Sequence, residues 1–470
     1  MRTTFFILTL ILSISAQGQD KPWDLERCIA HAVGNNLDVH DQVLLRKQQQ
    51  LTLDQSKAAR YPNLNSSVGH NYNFGRAIDP FTNQFVNQRI QSNSFSLTAG
   101  VTLYNGFRIT NTIERNQEQL RQGGYNVEVR INDIMTRVAE AYLNVIFAMQ
   151  NLKIAETQDS STRYQIERVK KLVDGGRLNR SELLNLQAQN ASDKLAIQRA
   201  KGDVDLSYLN LKILLQLDPE LPFEIVVPEL EQEPTINSSD KEQVIARALD
   251  EMPEMKSAQS QNQIAQLNRD IAKANLQPRL SMFANLNTVY SESRKEIFNV
   301  QPRLVEIGYV EGTGSKVVRD DFSYDTRVSS FGSQLSDNFG QSVGLSLSIP
   351  IYNNEQVNTQ VQSAEIAMDQ AKIQVQRVKN QLRSDISNNF IRMENAYASF
   401  LAASENEVAQ NENYQFSLKR FENGFLTSLE LLMTRNNWQR ALLEKERARF
   451  ELIFAKAQVE FYRTGKVSLD

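Results

Sequence analysis

Duplication constrains this chain more than any other feature. SFSLTAGVTLYNG at 94–106 returns as SVGLSLSIPIYNN at 342–354, with Tyr104 and Tyr352 separated by an offset of 248. VDGGRLNRSELL at 173–184 lies over FENGFLTSLELL at 421–432 at the same offset. Earlier in the chain, KAARYPNL at 57–64 lies over KANLQPRL at 273–280 at an offset of 216, so the second copy carries 32 extra residues within 291–338. Self-similarity on this scale means one supersecondary unit built twice.

Each copy contains two stretches with a period of two. In 342–354, Val343, Leu345, Leu347, Ile349 and Ile351 alternate with Ser342, Gly344, Ser346 and Ser348. Phe95, Leu97, Ala99, Val101 and Leu103 form the matching apolar set in the first copy. Leu64, Val68, Tyr72 and Phe74 oppose Asn65, Ser67, Gly69, Asn71 and Asn73, and Leu280, Met282, Ala284 and Leu286 oppose Ser281, Asn285 and Asn287. Alternation of this kind predicts strands with one oily face, over about 64–74, 94–104, 280–290 and 341–352.

Between the strand pairs the period lengthens. Ile131, Ile134, Val138, Tyr142, Val145, Met149 and Leu152 step by three and four, the spacing of a coiled-coil seam. No proline falls between Gly106 and Gly175, which predicts one helix over 107–174, roughly 100 Å long at about 1.5 Å per residue. Asp174-Gly175-Gly176 ends it and 181–217 returns as its antiparallel partner. The second copy repeats this with helices over 356–422 and 428–462, the last carrying Leu431, Trp438, Leu442, Phe450, Ile453, Ala457 and Phe461 on one stripe. A shorter and a longer helix precede each strand pair, stopped by Pro62 and Pro278. The organisation is therefore a first repeat over 19–218, a proline-bearing connector over 219–239 and a second repeat over 240–470, with 291–338 as an extended extracellular loop.

Residues 1–18 read as a secretory signal peptide, with Arg2 ahead of an apolar run and small residues at Ala16 and Gly18. That run is well short of the roughly 20 residues a spanning helix needs. Lys plus Arg, 52, nearly balances Asp plus Glu, 55, which gives no electrostatic reason for a nucleic-acid partner. Cys28 is the one cysteine and is expected to pack as a small hydrophobe. His31, His40 and His70 fall on different segments, and the glycine pairs lack the strand-before-helix setting of a phosphate loop. No catalytic residues, metal site or cofactor are expected.

Four strands cannot close a barrel, and an open sheet with an oily face exposes unpaired edges. The strands have the length that crosses a bilayer, their other faces are Ser, Asn, Gly and Thr, and Tyr61, Tyr104 and Tyr352 stand where an interfacial aromatic belt belongs. In lipid every backbone group must be paired, so several chains are expected to share one barrel. The competing readings are a soluble sheet packed on helices and an ordinary coiled-coil rod.

The early WDLERCIAHAVGNNLDV, the helix-ending ARYPNL and NLQPRL, the strand-ending VTLYNG and LSIPIYNN, and the glycine turns at Gly176 and Gly424, in this order and twice over, resemble the TolC-type outer-membrane efflux family. The resemblance implies a mainly α protein with a small antiparallel β part. Its long-helix hairpins would form a trimeric α-barrel joined to a 12-stranded transmembrane β-barrel, four strands per chain. It also implies a homotrimer in outer-membrane lipid, with the helices in the periplasm, docked to a periplasmic adaptor and through it to an inner-membrane pump. Thr102 departs from the pattern where the second copy has Pro350.

On this resemblance Glu182 and Glu430, six residues after Gly176 and Gly424, line a periplasmic gate, with Asp174 and Glu422 as a second acidic pair. The plainer reading makes them solvated acids favoured by a helix N-terminus. Gly176, Arg177, Leu178, Gly424, Phe425 and Leu426 are expected at exposed tips that contact the adaptor, since apolar tips call for a cover. The expected function is a passive exit duct for small molecules in a tripartite efflux system. The rivals are the outer-membrane part of a type I protein or peptide secretion system and a non-transporting periplasmic rod or adhesin.

Overall fold

The computed structural model describes residues 22–78, 83, 85–87, 89–228, 236–237 and 239–467. The expected signal peptide and Pro234 of the connector lie outside the described residues. In the first repeat the elements are α1 (Leu25–Asn35), α2 (Leu37–Ala58), β1 (Asn63–Asn73), β2 (Arg76–Ile78), β3 (Phe85–Asn87), β4 (Ile90–Tyr104), α3 (Arg108–Asp174) and α4 (Arg180–Leu214). In the second they are α5 (Lys241–Glu251), α6 (Pro253–Ala274), β5 (Arg279–Ser291), β6 (Lys295–Tyr309), β7 (Lys316–Val328), α7 (Phe331–Asp337), β8 (Gly340–Ser348), α8 (Gln356–Glu422) and α9 (Ser428–Thr464). Helices α3 and α8, 67 residues each, begin and end at the offset of 248 seen in the sequence.

Local chemistry sets the boundaries. Asp24 caps α1 by accepting from the Arg27 N–H at 2.8 Å. Asn36, in extended conformation, breaks α1 from α2 and accepts from the Asp38 N–H at 2.9 Å. Met252 is likewise extended and separates α5 from α6 before Pro253, because the residue preceding a proline is driven out of the helical region. Strand β8 stops at Ser348 rather than running to Tyr352, ahead of Pro350, which has no N–H to give a ladder.

The compact units cut across the repeats. One comprises Met1–Gln48, Arg121–Gln261 and Lys372–Asp470, the other Gln49–Leu120 and Asn262–Ala371. In the first unit two apolar clusters carry the duplication into the packing. Buried Ile134, Val138, Tyr142 and Val145 with Cys28 and Ala32 form one, and Leu382, Ile386, Phe390 and Met393 with Val244 and Ala248 form the other. Each member of the second stands at the repeat offset from its counterpart, so the core positions were duplicated together with the helices. Cys28 is fully buried and burial pushes its thiol up to about 12, which leaves it an inert packing group. The connector returns to the start of the chain, where Val226 N–H donates to the Trp23 carbonyl at 2.9 Å and the Tyr142 hydroxyl donates to the carbonyls of Trp23 and Val226.

The second unit holds the sheet. Its strand order is β1-β4-β5-β8, all antiparallel, so the two repeats meet at the β4–β5 ladder and β1 and β8 are the edges. Register aligns Leu64, Ala99, Ala284 and Val343 across the sheet, and partners in an antiparallel ladder share a face. That face also carries Val68, Leu97, Leu286 and Leu345, while Asn65, Ser67, Thr98, Asn285 and Ser342 lie on the other. Val343 and Leu345 are 69% and 66% exposed, so none of the described residues covers the apolar face there.

The segment 291–338 is not a loop. Strands β6 and β7 pair as a two-stranded antiparallel ribbon, and α7 follows. Sequence alternation is blurred there by two register shifts, between Phe298 and Gln301 and between Glu306 and Gly308, which move side chains from one face to the other. Gln334 of α7 is fully buried, accepting from the Ser291 N–H at 3.0 Å and donating to the Ser291 and Ser329 carbonyls, which ties the insertion to the end of β5.

Candidate functional site

The two helical turns are built alike. At the end of α3 the Gly176 N–H donates to the Val173 carbonyl at 2.9 Å and the Arg177 N–H to the Leu172 carbonyl at 2.8 Å. At the end of α8 the Gly424 N–H donates to Phe421 at 3.0 Å and the Phe425 N–H to Arg420 at 2.9 Å. These are paired Schellman closures, and Gly176 and Gly424 hold the left-handed conformation they require, at φ 73° and 78°.

The four acidic residues have separate roles. Glu430 forms a capping box with Thr427, its carboxylate accepting from the Thr427 N–H at 3.0 Å and the hydroxyl at 2.8 Å. Those two donors, the N–H first, hold its carboxyl below the ordinary carboxylate value. Glu182 crosses from the first hairpin to the second and accepts from the Ser428 N–H at 2.8 Å, satisfying an orphan donor at the start of α9. Glu422 pairs with Arg168 of α3 at 2.6 Å. Asp174 is exposed, with no partner among the described residues.

Of the six expected tip residues, Gly176, Arg177, Gly424 and Phe425 are exposed, Phe425 at 75%. Leu178 and Leu426 are not solvent tips. Both fold back onto an apolar cluster of Val169, Leu186, Phe421, Leu431 and Leu432, which closes the end of the paired hairpins.

Farther along the same hairpins lies a buried ionic group that no sequence motif marks. Arg435 of α9 is 1% exposed and Asp193 of α4 5%. Their closest charged atoms are 3.7 Å apart, and the Thr162 hydroxyl of α3 joins them, accepting from Arg435 at 2.7 Å and donating to Asp193. Gln189 also donates to Asp193, at 2.8 Å. Burial pulls the guanidinium down from its ordinary value while Asp193 holds it up. Next to it Tyr414 and Trp438 stack at 5.2 Å, and the Trp438 indole N–H donates to Glu407 at 2.9 Å.

In the unit that holds the sheet, Tyr61, Tyr104 and Tyr352 are 74%, 40% and 75% exposed, all at the end of the sheet where β1 and β5 begin and β4 and β8 end. Phe107 and Ile351, 65% and 95% exposed, join the same band. Each strand-to-helix junction turns on two successive left-handed residues, Gly106 and Phe107 in one repeat, Asn354 and Glu355 in the other. A Cβ at Gly106 would meet the Gln277 side chain at 2.6 Å and the Ala274 carbonyl at 2.9 Å, so close approach as well as φ demands glycine.

The family model described as outer membrane efflux protein matches residues 28–215 and 244–462, most of both repeats. The chain belongs to that family. As an outer membrane efflux protein it is a channel of the cell outer membrane with its helical part in the periplasm, and the family is one of channels rather than enzymes. Its fold is similar to the outer membrane channel CmeC of Campylobacter jejuni, at a TM-score of 0.72 and 15% identity over 95% of this chain and 86% of that one. It is similar also to VceC of Vibrio cholerae, with a TM-score of 0.71 and 13% identity over 93% and 95% of the two chains. The open state of MtrE of Neisseria gonorrhoeae gives a TM-score of 0.70 and 15% identity over 95% and 90%. Comparison with curated protein sequences finds no match.

Proposed function

We propose that three copies of this outer membrane efflux protein close a 12-stranded barrel, and that the trimer is the passive exit duct of a tripartite system that expels small molecules. The observation that carries this reading is the four-stranded sheet itself: an uncovered apolar face, an opposite face of Asn, Ser, Gly and Thr, and unpaired edges at β1 and β8. Such a sheet satisfies its backbone in lipid only if each edge finds the other edge of a sister copy. Leu184, Leu195 and Leu206 on α4 and Ile366, Ile373 and Val408 on α8 are likewise exposed, as helices awaiting neighbours would be.

In this reading the paired turns form the periplasmic gate. Glu182, Glu430, Asp174 and Glu422 line it, and a trimer presents each as a ring of three carboxylates that attracts cations. A periplasmic adaptor binds the tips at Gly176, Arg177, Gly424 and Phe425, with Leu178 and Leu426 beneath them. An inner-membrane pump behind the adaptor supplies the energy. Opening is a movement of one hairpin against its neighbour. The test is accumulation of a fluorescent dye in cells that keep pump and adaptor but lack this chain. Restoring the chain is expected to lower dye retention, and Phe425→Asp is expected to abolish that effect while leaving the protein in the outer membrane. Unchanged retention on restoring the chain overturns the duct reading.

A further inference from the structure

We propose that the first strand-to-helix junction carries an oxyanion-binding station, which takes phosphate, sulfate or carboxylate groups of solutes passing through the duct. The station rests on the duct reading for its access to solute. A cavity of about 260 Å³ in the unit that holds the sheet is lined by Ser56, Thr102, Asn105, Arg108, Thr112 and Arg279, together with Ala59 and Ile109. Two arginines and three hydroxyl-bearing residues line this space, and no acidic residue does. Among the described residues neither arginine is paired with an acid, and the Arg279 contact to a side chain is the Thr102 hydroxyl at 3.5 Å. A guanidinium fork matches an oxyanion geometrically and keeps its charge at any working pH.

The duplication supplies an internal control. Architecture that needed arginines at a strand-to-helix junction would need them at both. In the second repeat Gln356 holds the place of Arg108, Pro350 that of Thr102 and Gln360 that of Thr112, and Asn63 in the first repeat is the counterpart of Arg279. Both junctions nonetheless turn on left-handed pairs, Gly106 and Phe107 in one and Asn354 and Glu355 in the other. The left-handed turn from strand to helix therefore does not require the two positive charges, which are concentrated at one of the two junctions.

The side of the sheet identifies the ligand's source. Arg279 and Ser281 alternate with Leu280 and Met282 on β5, and Thr102 pairs with Ser281, so the arginine and the hydroxyl belong to the Asn and Ser face. In a barrel that turns its apolar face to lipid, that face meets the water-filled bore. The ligand is accordingly a dissolved anion rather than a lipid headgroup.

The probe is pyrophosphate, titrated calorimetrically into the full-length protein in a neutral detergent. Binding is expected for the unaltered chain and at least tenfold weaker binding for Arg108→Gln with Arg279→Gln, whose helical circular dichroism serves as the check on folding. Arg108→Lys with Arg279→Lys retains charge without the fork and is expected to fall between them. Equal affinity in all three, or no binding to the unaltered chain, overturns the station. If the double glutamine variant does not fold, each single variant is titrated, and unchanged affinity in both likewise overturns the station. In planar bilayers of phosphatidylcholine, pyrophosphate added to the aqueous phase is expected to lower the conductance of the unaltered channel and to spare the double variant. Loss of co-purified phospholipid from the double variant, with no effect of aqueous pyrophosphate on conductance, would assign the arginines to a headgroup and overturn the bore site. Absence of any pore from the unaltered chain would defeat the duct reading while leaving the calorimetric result to stand on its own.

Discussion

The Glu182 carboxylate accepts the Ser428 backbone N–H at 2.8 Å, so an acidic side chain of the first repeat caps the last helix of the second. The link joins the two hairpins beside the turns, where Arg168 and Glu422 form a second bridge at 2.6 Å. A residue that the sequence suggests as a gate acid thus has a definite mechanical task.

Replacing Glu182 by Ala is expected to cost about 1 kcal/mol of local stability, the usual loss for a helix cap. Hydrogen exchange at the start of α9, near Ser428 and Leu431, is expected to quicken about fivefold, with the far end of α9 unchanged. Exchange that is uniform along α9, or unaltered, would show that the cap holds nothing. Glu182→Gln with Glu430→Gln is expected to reduce the cation preference of the channel measured from reversal potentials, and an unchanged preference would remove both residues from the constriction.

Arg435 and Asp193 offer a cleaner separation of charge from packing. Removing one member of a buried ionic pair strands the other, and about 3 kcal/mol or more is lost. Arg435→Met and Asp193→Leu are each expected to lower the melting temperature of the detergent-solubilised protein by several degrees, whereas the double variant recovers most of the loss. Losses that simply add would mean that the two charges do not depend on one another.

The polar face of the sheet carries an aromatic ring at Phe283. Phe283 lies against Gly344 of β8, and a Cβ there would meet its ring carbon at 2.6 Å. Gly344→Ala is therefore expected to destabilise the sheet by about 1–3 kcal/mol, the range for overpacking, and Gly344→Ala with Phe283→Ala to restore it. Thermal stability in detergent is the readout, and a Gly344→Ala protein as stable as the unaltered chain would contradict the packing.

Much of this is legible in the sequence. The offset of 248 already implies that α3 and α8 share both ends, and the alternation at Leu64, Leu97, Leu286 and Leu345 identifies the face that register then brings together. What cannot be read depends on which helices become neighbours. Arg435, Asp193 and Thr162 lie on three helices with no shared motif, and only packing reveals that they meet. Leu178 and Leu426 depart from the expected tips because a turn sequence does not say which way its side chains fold back. The ribbon of β6 and β7 is hidden because its two register shifts break the alternation that marks a strand.

Acid provides a fourth test. Asp240 holds Arg463 through both carboxylate oxygens, at 2.8 and 3.1 Å, and the guanidinium's hydrogen bonds pull its carboxyl below the ordinary 3.8. A depressed carboxyl contributes stability above its unfolded value and loses it as pH falls through the lower folded value. Protection of α5 and the end of α9 is thus expected to decline below about pH 3.8, and Asp240→Asn, costing about 1 kcal/mol at neutral pH, is expected to abolish that part of the decline. An identical acid response in the variant would assign the decline to other groups.

The most direct test of the whole account is a cysteine scan of the sheet edges in outer membranes, practicable because Cys28 is buried. With one cysteine fixed at Ser67 of β1 and a second moved along β8 from Gly340 to Ser348, oxidation is expected to yield covalent species of two and three chains at a narrow set of neighbouring positions. Failure to obtain any covalent oligomer, at every position scanned, would contradict closure of the barrel by sister copies.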